Sequence, residues 1–332
     1  MKKAVLFLVI VGSGAAYYHS IYIPRKRLVA ALETAYVLPD SLPVVDTTAM
    51  IRNVLVTYHS GQAVRVEARI GEWAKLMLPS GKTGWVKQDA LMSSADYEQG
   101  QALIKGLEGR EAQAEGHTSE PAHLRLGPSR TTLDLGQFNT GQAVKVYDRR
   151  WVLHAAQNAV PGTNARGEAW YLVTGNGRGG WTPGRLINLD IPSGLSAYAQ
   201  GINMVAWLVL DTVNDDGQQV PQYIAADRIG VENFDFNHIR VFTWWVKRHE
   251  YVTAYVESGV HGYFPITVSH EGVIPYFRLR LVDEDGDKFQ KVYGLYDTIV
   301  RPLGTVEGWE STAMPAAPRT SRRRPRRGRL QR

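Results

Sequence analysis

The chain has 332 residues, of which 44% are hydrophobic and 21% charged, so it can form two or three packed domains and is not mostly disordered. It has no cysteine, which excludes disulfides, thiolate metal sites and cysteine nucleophiles. The net charge of +6 comes from two basic ends, because residues 28–310 hold 25 basic and 32 acidic side chains. The high isoelectric point therefore does not indicate a specific nucleic-acid site.

Residues 1–27 predict an export or anchoring segment. Two lysines precede an apolar run from Ala4 to Ile23, which is just long enough to cross a bilayer as a helix, and three basic residues follow at 25–27. The preferred interpretation is an uncleaved single-pass anchor in the cell membrane, with the body extracytoplasmic. The alternatives are a signal peptide cleaved before Tyr17, which would leave a secreted or periplasmic protein, and a buried helix of a cytosolic domain.

A short motif occurs twice and begins a longer repeat. Residues 61–66 read GQAVRV and residues 141–146 read GQAVKV. Each copy continues with a Trp that opens an alternating strand, a glycine-bearing turn, and a Gly-Trp pair that opens the next strand. Period-two alternation and glycine turns predict antiparallel hairpins, and the glycine before Trp allows close approach of another backbone.

This pattern, Gly-x-x-Val-x-Val, then Trp, then Gly-x-x-Gly-Trp-Val, resembles the bacterial SH3-like domain of exported and envelope proteins. Residues 124–129, LRLGPS, resemble the opening strand and turn of that family. The resemblance covers residues 45–92 and 118–190. It implies two tandem, partly open small barrels that bind cell-wall peptides or protein partners and often accompany a catalytic domain.

Five aromatic residues of the repeats are candidate ligand-binding residues, because aromatic side chains line the peptide grooves of SH3 folds. For Trp73 and Trp170 the preferred interpretation is a core position, whereas for Trp85 and Trp181 the two roles are balanced. The candidates are Trp85, Trp181, Tyr171, Trp73 and Trp170.

Two further segments complete the predicted fold. Residues 93–117 predict a helical connector, because Tyr97, Leu103, Ile104 and Leu107 form one stripe. Residues 200–310 predict an antiparallel β domain with strands at 205–213, 238–247, 251–257, 276–282 and 289–296, and a turn at 214–217.

One segment of the C-terminal domain is weakly similar in spacing to the repeat. Residues 251–264 predict either a divergent third copy or an ordinary hairpin that turns at Ser258-Gly259. Trp244 and Trp245 place one indole on each face of their strand, and together with Tyr263 they are candidate interface residues.

No catalytic or metal-binding constellation is expected. The nine histidines lack the spacing of zinc motifs, and Asp283, Asp285 and Asp287 lack the later ligands of a calcium loop, so a solvated turn is predicted. The glycine-rich stretch 175–180 leads from strand to strand and offers no helix N-terminus to phosphate. We therefore expect no cofactor and no enzyme activity.

The Arg-rich tail, residues 311–332, cannot bury apolar area and is predicted to be disordered. It is either a solvated extension or a contact for an anionic polymer or lipid. The residues expected to contact such a polyanion are Arg322, Arg323, Arg324, Arg326 and Arg327.

Together these features predict a mainly β protein that holds cell-wall, peptide or protein ligands without catalysis. Its segments are an anchor (1–27), a juxtamembrane linker (28–44), two SH3-like domains (45–92 and 118–190) joined by a helical connector, a C-terminal antiparallel domain and the tail. One alternative is a structural subunit of an envelope assembly. Another is a cell-wall hydrolase whose carboxylates, such as Asp283 or Glu257, lie in the C-terminal domain.

Overall fold

The computed structural model describes residues 32–153, 167–230 and 234–315. These residues form three antiparallel sheets and one described α-helix, α1 (Ser94–Lys105), so the mainly β prediction is confirmed. The predicted anchor and most of the Arg-rich tail lie outside the described residues. Among the described residues, no helix is both long enough and apolar enough to cross a membrane.

The described chain divides into two compact units. The first comprises residues 32–103 and 133–137, and the second comprises residues 104–132 and 138–315 apart from the two internal gaps. The second unit therefore contains the second copy of the repeat, apart from residues 133–137, together with the C-terminal sheet, which the sequence predicted as separate domains.

The first sheet has seven strands in the order β3-β2-β6-β5-β4-β1-β7 and is open at both edges. Its core side chains, among them Val64, Val66, Ala74 and Leu76, alternate along the strands, as the predicted period-two alternation of the hairpins requires. The strands are β1 (Glu33–Val37), β2 (Leu42–Val45), β3 (Val54–Tyr58), β4 (Ala63–Ile70), β5 (Trp73–Met77), β6 (Thr83–Lys87) and β7 (Leu91–Ser93).

The predicted juxtamembrane linker is wrong over residues 33–44. Residues 33–37 pair with β4 and β7, and Leu42–Val45 pair with β3, so this segment belongs to the first sheet. Strands of four or five residues carry little periodicity of their own, and their partners are distant in sequence.

The second sheet has the order β10-β9-β13-β12-β11-β8-β14 and is also open. When its strands are numbered from its own start, this order is the same as that of the first sheet. Its strands are β8 (Ala114–Thr118), β9 (Ala122–Arg125), β10 (Asp134–Phe138), β11 (Ala143–Leu153), β12 (Gly167–Gly175), β13 (Arg178–Pro183) and β14 (Ile187–Leu189).

The helical connector is shorter than predicted. Helix α1 ends at Lys105, and β8 begins at Ala114, so residues 114–117 belong to the second sheet. The chain leaves the helix through a turn in which Leu107 N–H donates to Ile104 O, and Gly109 adopts a positive φ of 75°. That backbone conformation favours glycine in the turn between α1 and β8.

The two repeat copies agree in register as well as in strand order. Val64 lies opposite Ala35 in the first sheet, and Val144 lies opposite Gly116 in the second. Both long strands carry a register shift just after their second Val, at Val66 and Val146. The repeated motif therefore adopts the same strand pairing and the same register shift in both copies.

The Gly-Trp pairs explain why glycine is needed at these positions. A Cβ on Gly84 would lie 2.4 Å from Val44 Cγ1, and one on Gly180 would lie 3.0 Å from the Arg125 carbonyl oxygen. Strand β6 passes close to β2 in the first sheet, as β13 passes close to β9 in the second. The predicted close backbone approach occurs in both copies.

The third sheet is a meander of consecutive strands from β15 to β21. Each of the five predicted strand segments overlaps one of its strands, although the predicted segment 238–247 runs two residues beyond the end of β17 at Trp245, and the predicted turn at 214–217 joins β15 to β16. Strands β16 and β21, which contain Pro221 and Pro302, were not predicted. The strands are β15 (Met204–Asp215), β16 (Gln218–Asp227), β17 (Phe236–Trp245), β18 (Glu250–Glu271), β19 (Ile274–Val282), β20 (Lys288–Tyr296) and β21 (Ile299–Glu307).

The predicted hairpin or third repeat copy at residues 251–264 is wrong. This segment lies within the single 22-residue strand β18, whose first half pairs with β17 and second half with β19. Gly259 has a positive φ of 75° at an irregularity of the ladder and makes no hairpin turn. Gly262 is required for another reason, because a Cβ there would lie 2.1 Å from the ring of Phe236.

Buried polar contacts connect the second and third sheets within the second unit. The fully buried side-chain amide of Gln113 donates to Ile266 O (3.0 Å) and accepts from Ile266 N–H (2.7 Å). Arg149, also buried, forms an ion pair with Asp235 at 3.1 Å. Burial raises the pKa of Asp235 to about 6, although Arg149 favours the charged carboxylate.

Candidate functional site

A groove of about 540 Å³ lies beside the repeated motif in the second sheet. One wall consists of Ile104, in the last turn of helix α1, and Leu107, just after the helix, and another wall is the β12–β13 turn. Strand β11 contributes the exposed residues Ala143 and Lys145. The groove therefore combines an apolar wall with an exposed strand and a tight turn.

Charged side chains of both signs line this groove. Lys145 and Arg178 provide cations, and Glu108, Glu115 and Asp190 provide carboxylates. Asp190 accepts a 2.8 Å hydrogen bond from His117 Nδ1, and the Arg178 guanidinium lies 5.4 Å from the centre of the Phe138 ring. Such a surface suits a short ligand that carries both charges and some apolar area.

The turn of this groove is held against the repeated motif. Asn176 and Gly177 both adopt positive φ, of 48° and 73°, as the predicted tight hairpin requires. The Asn176 side-chain amide donates to Gln142 Oε1 at 2.9 Å. The second residue of the GQAV motif thus positions the turn that forms one end of the groove.

The first sheet has a groove of about 490 Å³ at the equivalent place. Ala63, Val64 and Arg65 line it where Ala143, Val144 and Lys145 line the other. The cross-strand partners also correspond, because Arg65 lies opposite Met77 and Lys145 lies opposite Thr174. The remaining lining residues of the first groove are Tyr58, Met77, Leu78, Pro79 and Gly81.

The two grooves share a location but differ in chemistry. The first is mainly apolar, with Tyr58, Leu78 and Pro79 and one cation, Arg65. The second carries two cations and three carboxylates. The sequence analysis identified the motif that builds both grooves but assigned none of these lining residues to a site. One sequence signal for the grooves was available. A cation, Arg65 or Lys145, lies between two valines at the same place in each copy of the motif.

None of the five predicted ligand-binding aromatics lines either groove. Trp170 is 2% exposed, as its preferred core interpretation expected, and Tyr171 (8%) and Trp181 (7%) are also buried in the core. Trp73 and Trp85 are half-buried. Trp73 packs beneath two cations, since Lys87 Nζ lies 4.4 Å and the Arg52 guanidinium 5.3 Å from its ring centre.

The predicted interface residues lie in the third sheet with different exposures. Trp244 is half-buried and donates its indole N–H to Asp215 at 2.7 Å. Trp245 is 40% exposed, with the Arg248 guanidinium 4.2 Å from its ring centre, so the two indoles do face differently. Tyr263 is half-buried against Trp309, at 5.2 Å between ring centres.

Among the described residues, one group of side chains could hold a metal ion. Ligand atoms of Asp215, Asp216 and His249 lie within 4.8 Å of one another. The same carboxylate oxygen of Asp215 already accepts hydrogen bonds from Trp244 and from His249 Nδ1, both at 2.7 Å. These bonds lower the pKa of Asp215, and Asp215 raises the pKa of His249. The contact between His249 and Asp215 therefore links the turn after β15 to the turn before β18.

The carboxylates considered for a hydrolase do not form a pair. Asp283 accepts backbone N–H bonds from Asp285 and Asp287, so it stabilises the turn that the sequence predicted. Burial favours a raised pKa for Glu257, but hydrogen bonds from Lys291, Tyr293 and Tyr255 outweigh it and lower that pKa. Glu257 is thus held as a charged acceptor, which does not suit a general acid.

Comparisons with known proteins show limited similarity. No protein-family model matches the chain, and no curated protein matches it. Among solved structures, NlpC2 from Trichomonas vaginalis matches 69% of this chain and 96% of its own, with 8% identity and a TM-score of 0.17. NlpC1 from the same organism gives the same TM-score and identity and covers 93% of its own chain. An NlpC/P60 family protein from Bacillus cereus matches 82% of this chain and 94% of its own, with 10% identity and a TM-score of 0.23. These scores are too low to assign a fold or a function to this chain.

Proposed function

We propose that the protein is a non-catalytic binding protein of the cell envelope, whose two SH3-like modules hold ligands in equivalent grooves. The observation that carries this proposal is the recurrence of one groove, at matching residues, in two sheets of the same strand order and register. A groove at equivalent positions of both copies is more simply explained by a shared binding role than by two separate accidents of packing.

The chemistry of the second groove supports a peptide ligand. Lys145 and Arg178 can bind carboxylates, while Glu108, Glu115 and Asp190 can bind amino groups. Ile104 and Leu107 offer an apolar wall to a side chain or methyl group. Wall peptides and extended protein segments carry these features together. Ala143 and Gly177 are exposed and have small side chains, so they leave room for the backbone of a peptide ligand.

The location in the envelope is proposed from the sequence of residues 1–27, with the body extracytoplasmic. On this view the tail, with Arg322, Arg323, Arg324, Arg326 and Arg327, adds a non-specific contact to anionic lipid or wall polymer. The ligand grooves themselves belong to the described residues and do not depend on either end.

The cell-wall hydrolase is the alternative that the NlpC/P60 names of the similar structures would favour. TM-scores of 0.17 to 0.23 carry no argument for it, and the positions of Glu257 and Asp283 give it no pair of catalytic carboxylates among the described residues. Incubating the protein with purified cell wall and measuring released peptide and sugar fragments tests this alternative directly.

The binding proposal is tested by blocking each groove. Residues 28–310 are used as bait for purified wall fragments and envelope extract, in the native form and with Ala63→Trp and Ala143→Trp separately and combined. Both alanines are exposed on their strands, so a bulky indole fills the groove without disturbing the core. Ala102→Trp, on the exposed surface of helix α1, is the matched control.

We expect the native protein and Ala102→Trp to retain the same ligand, and the double groove variant to lose it by at least tenfold. Equal retention by all variants would contradict the role of the grooves. Release of wall fragments by the native protein would instead support the hydrolase.

A further inference from the structure

The loop between β2 and β3 holds large apolar side chains in water. Met50 is 99% exposed and Ile51 93% exposed. The base of this loop is closed, because Asp46 accepts hydrogen bonds from the backbone and side-chain N–H groups of Asn53, at 2.9 and 2.8 Å. The apolar residues are therefore presented at the end of a fixed loop.

Basic and apolar groups of the neighbouring hairpins surround this loop. The Arg52 guanidinium and Lys87 Nζ both lie over the ring of Trp73, which is the cross-strand partner of Ile70. Ile70 is itself 60% exposed. Lys87 also forms an ion pair with Glu72. Arg52 directly follows the exposed pair Met50 and Ile51 in the sequence. We call Met50, Ile51, Arg52, Ile70 and Lys87 the docking tip.

This composition suits the interface of an anionic bilayer. Scattered exposed apolar residues are ordinary, but adjacent side chains that are almost fully exposed beside cations mark an interaction surface. At a bilayer the apolar side chains enter the acyl boundary while Arg and Lys contact lipid phosphates. A protein groove for the same tip would have to be concave, whereas a bilayer accepts a protruding loop of any outline.

The short chain between the proposed anchor and the first sheet favours the membrane as the occupant. The apolar run ends at Ile23 and β1 begins at Glu33. Even fully extended, the nine residues between them span only about 30 Å. If residues 1–27 anchor the protein, as proposed above, the first unit is held beside the surface of that same bilayer.

We propose that the docking tip inserts into the headgroup region of the anionic bilayer that carries the anchor of the same chain. The inference rests on the proposed anchor, and it adds a second membrane contact that fixes the orientation of the first sheet. One anchor and one shallow tip together restrict rotation of the unit in a way that a flexible tether alone does not.

The chain contains no cysteine, which makes single-cysteine labelling clean. The full chain is placed in lipid nanodiscs at one chain per disc, with 30% phosphatidylglycerol or with phosphatidylcholine alone. Ile51→Cys reports on the tip, and Ser80→Cys, on the exposed turn at the far end of the β5–β6 hairpin, is the matched control. The measurement is the rate of modification by an uncharged maleimide attached to polyethylene glycol, relative to the rate in urea.

In anionic discs we expect the cysteine at 51 to react at least tenfold more slowly than the one at 80. Adding Arg52→Glu, or removing the anionic lipid, should return most of that reactivity at 51 and leave the rate at 80 unchanged. Equal rates at both positions in anionic discs would overturn the proposal, because the tip would then lie in water.

Protection of position 51 that is indifferent to lipid charge and to Arg52→Glu would also overturn it, since another part of the chain would then cover the tip. A chain that fails to enter the discs would refute the anchor, and the docking tip with it. If the grooves bind no ligand, the results for the anchor and for the docking tip are unaffected.

Discussion

Adding a single methyl group at Gly84 should destabilise the first sheet. A Cβ at this position would lie 2.4 Å from Val44 Cγ1 and 3.2 Å from the Val45 carbonyl oxygen. Val44 is fully buried, so its methyl group has no free space to enter, and overpacking of this kind costs about 1–3 kcal/mol. Because about 1.4 kcal/mol corresponds to a tenfold change in an equilibrium constant, local opening of β2 and β6 should increase by roughly 5- to 150-fold.

Hydrogen exchange followed by mass spectrometry measures this opening in peptides covering Leu42–Val45 and Thr83–Lys87. Gly100→Ala, in helix α1 of the same unit, is the matched substitution with the opposite expectation. Its Cβ would meet only the end of the Leu135 side chain at 3.0 Å, and alanine gains about 1 kcal/mol of helix propensity over glycine. Unchanged exchange in Gly84→Ala, or an equal loss in Gly100→Ala, would refute the reasoning about close strand approach.

Two further predictions concern the second unit. Trp170→Ala should lower the free energy of unfolding by about 3–5 kcal/mol, because it empties a buried site, whereas Trp245→Ala should cost less than about 1 kcal/mol; denaturant titration with tryptophan-independent circular dichroism measures both. The ion pair of His249 with Asp215 should stabilise the fold above the lowered pKa of Asp215, and its contribution should be lost as pH rises through the raised pKa of His249. Asp215→Asn should return the His249 pKa, followed by NMR, towards 6.5; an unchanged titration would exclude the pair as its cause.

The repeats were the part of the fold that the sequence predicted best, because their information is local. Alternating valines, the turn at Asn176-Gly177 and the Gly-Trp pairs each determine backbone geometry within a few residues, and the structure contains them as expected. The short strand β1 was missed because its assignment depends on pairing with β4, which lies far along the chain.

The C-terminal sheet shows a second limit of sequence patterns. Ser258-Gly259 has the composition of a hairpin turn, yet it lies inside strand β18. It lies near the point where the pairing partner of β18 changes from β17 to β19. Local composition cannot distinguish a turn from an irregularity in a long strand, because glycine serves both.

The candidate site was harder to predict than the fold. Trp170 fills the core, as its preferred interpretation expected, and Trp181, for which a core and a ligand-binding role were balanced, is buried as well. The second groove is lined in part by small and charged residues, such as Ala143 and Lys145, that become neighbours of Ile104 only after the chain folds. The spacing of these residues in the sequence does not indicate that they lie close together in the fold.

The central claim is that the two repeats present equivalent ligand grooves, and photocrosslinking in intact cells tests it most directly. A photoreactive phenylalanine analogue replaces Ala63, Ala143 or, as the outside position, Ala102 in the full chain. The account predicts crosslinks to wall or peptide material from positions 63 and 143 and none above background from position 102. Crosslinks of equal yield from all three positions, or from 102 alone, would contradict it.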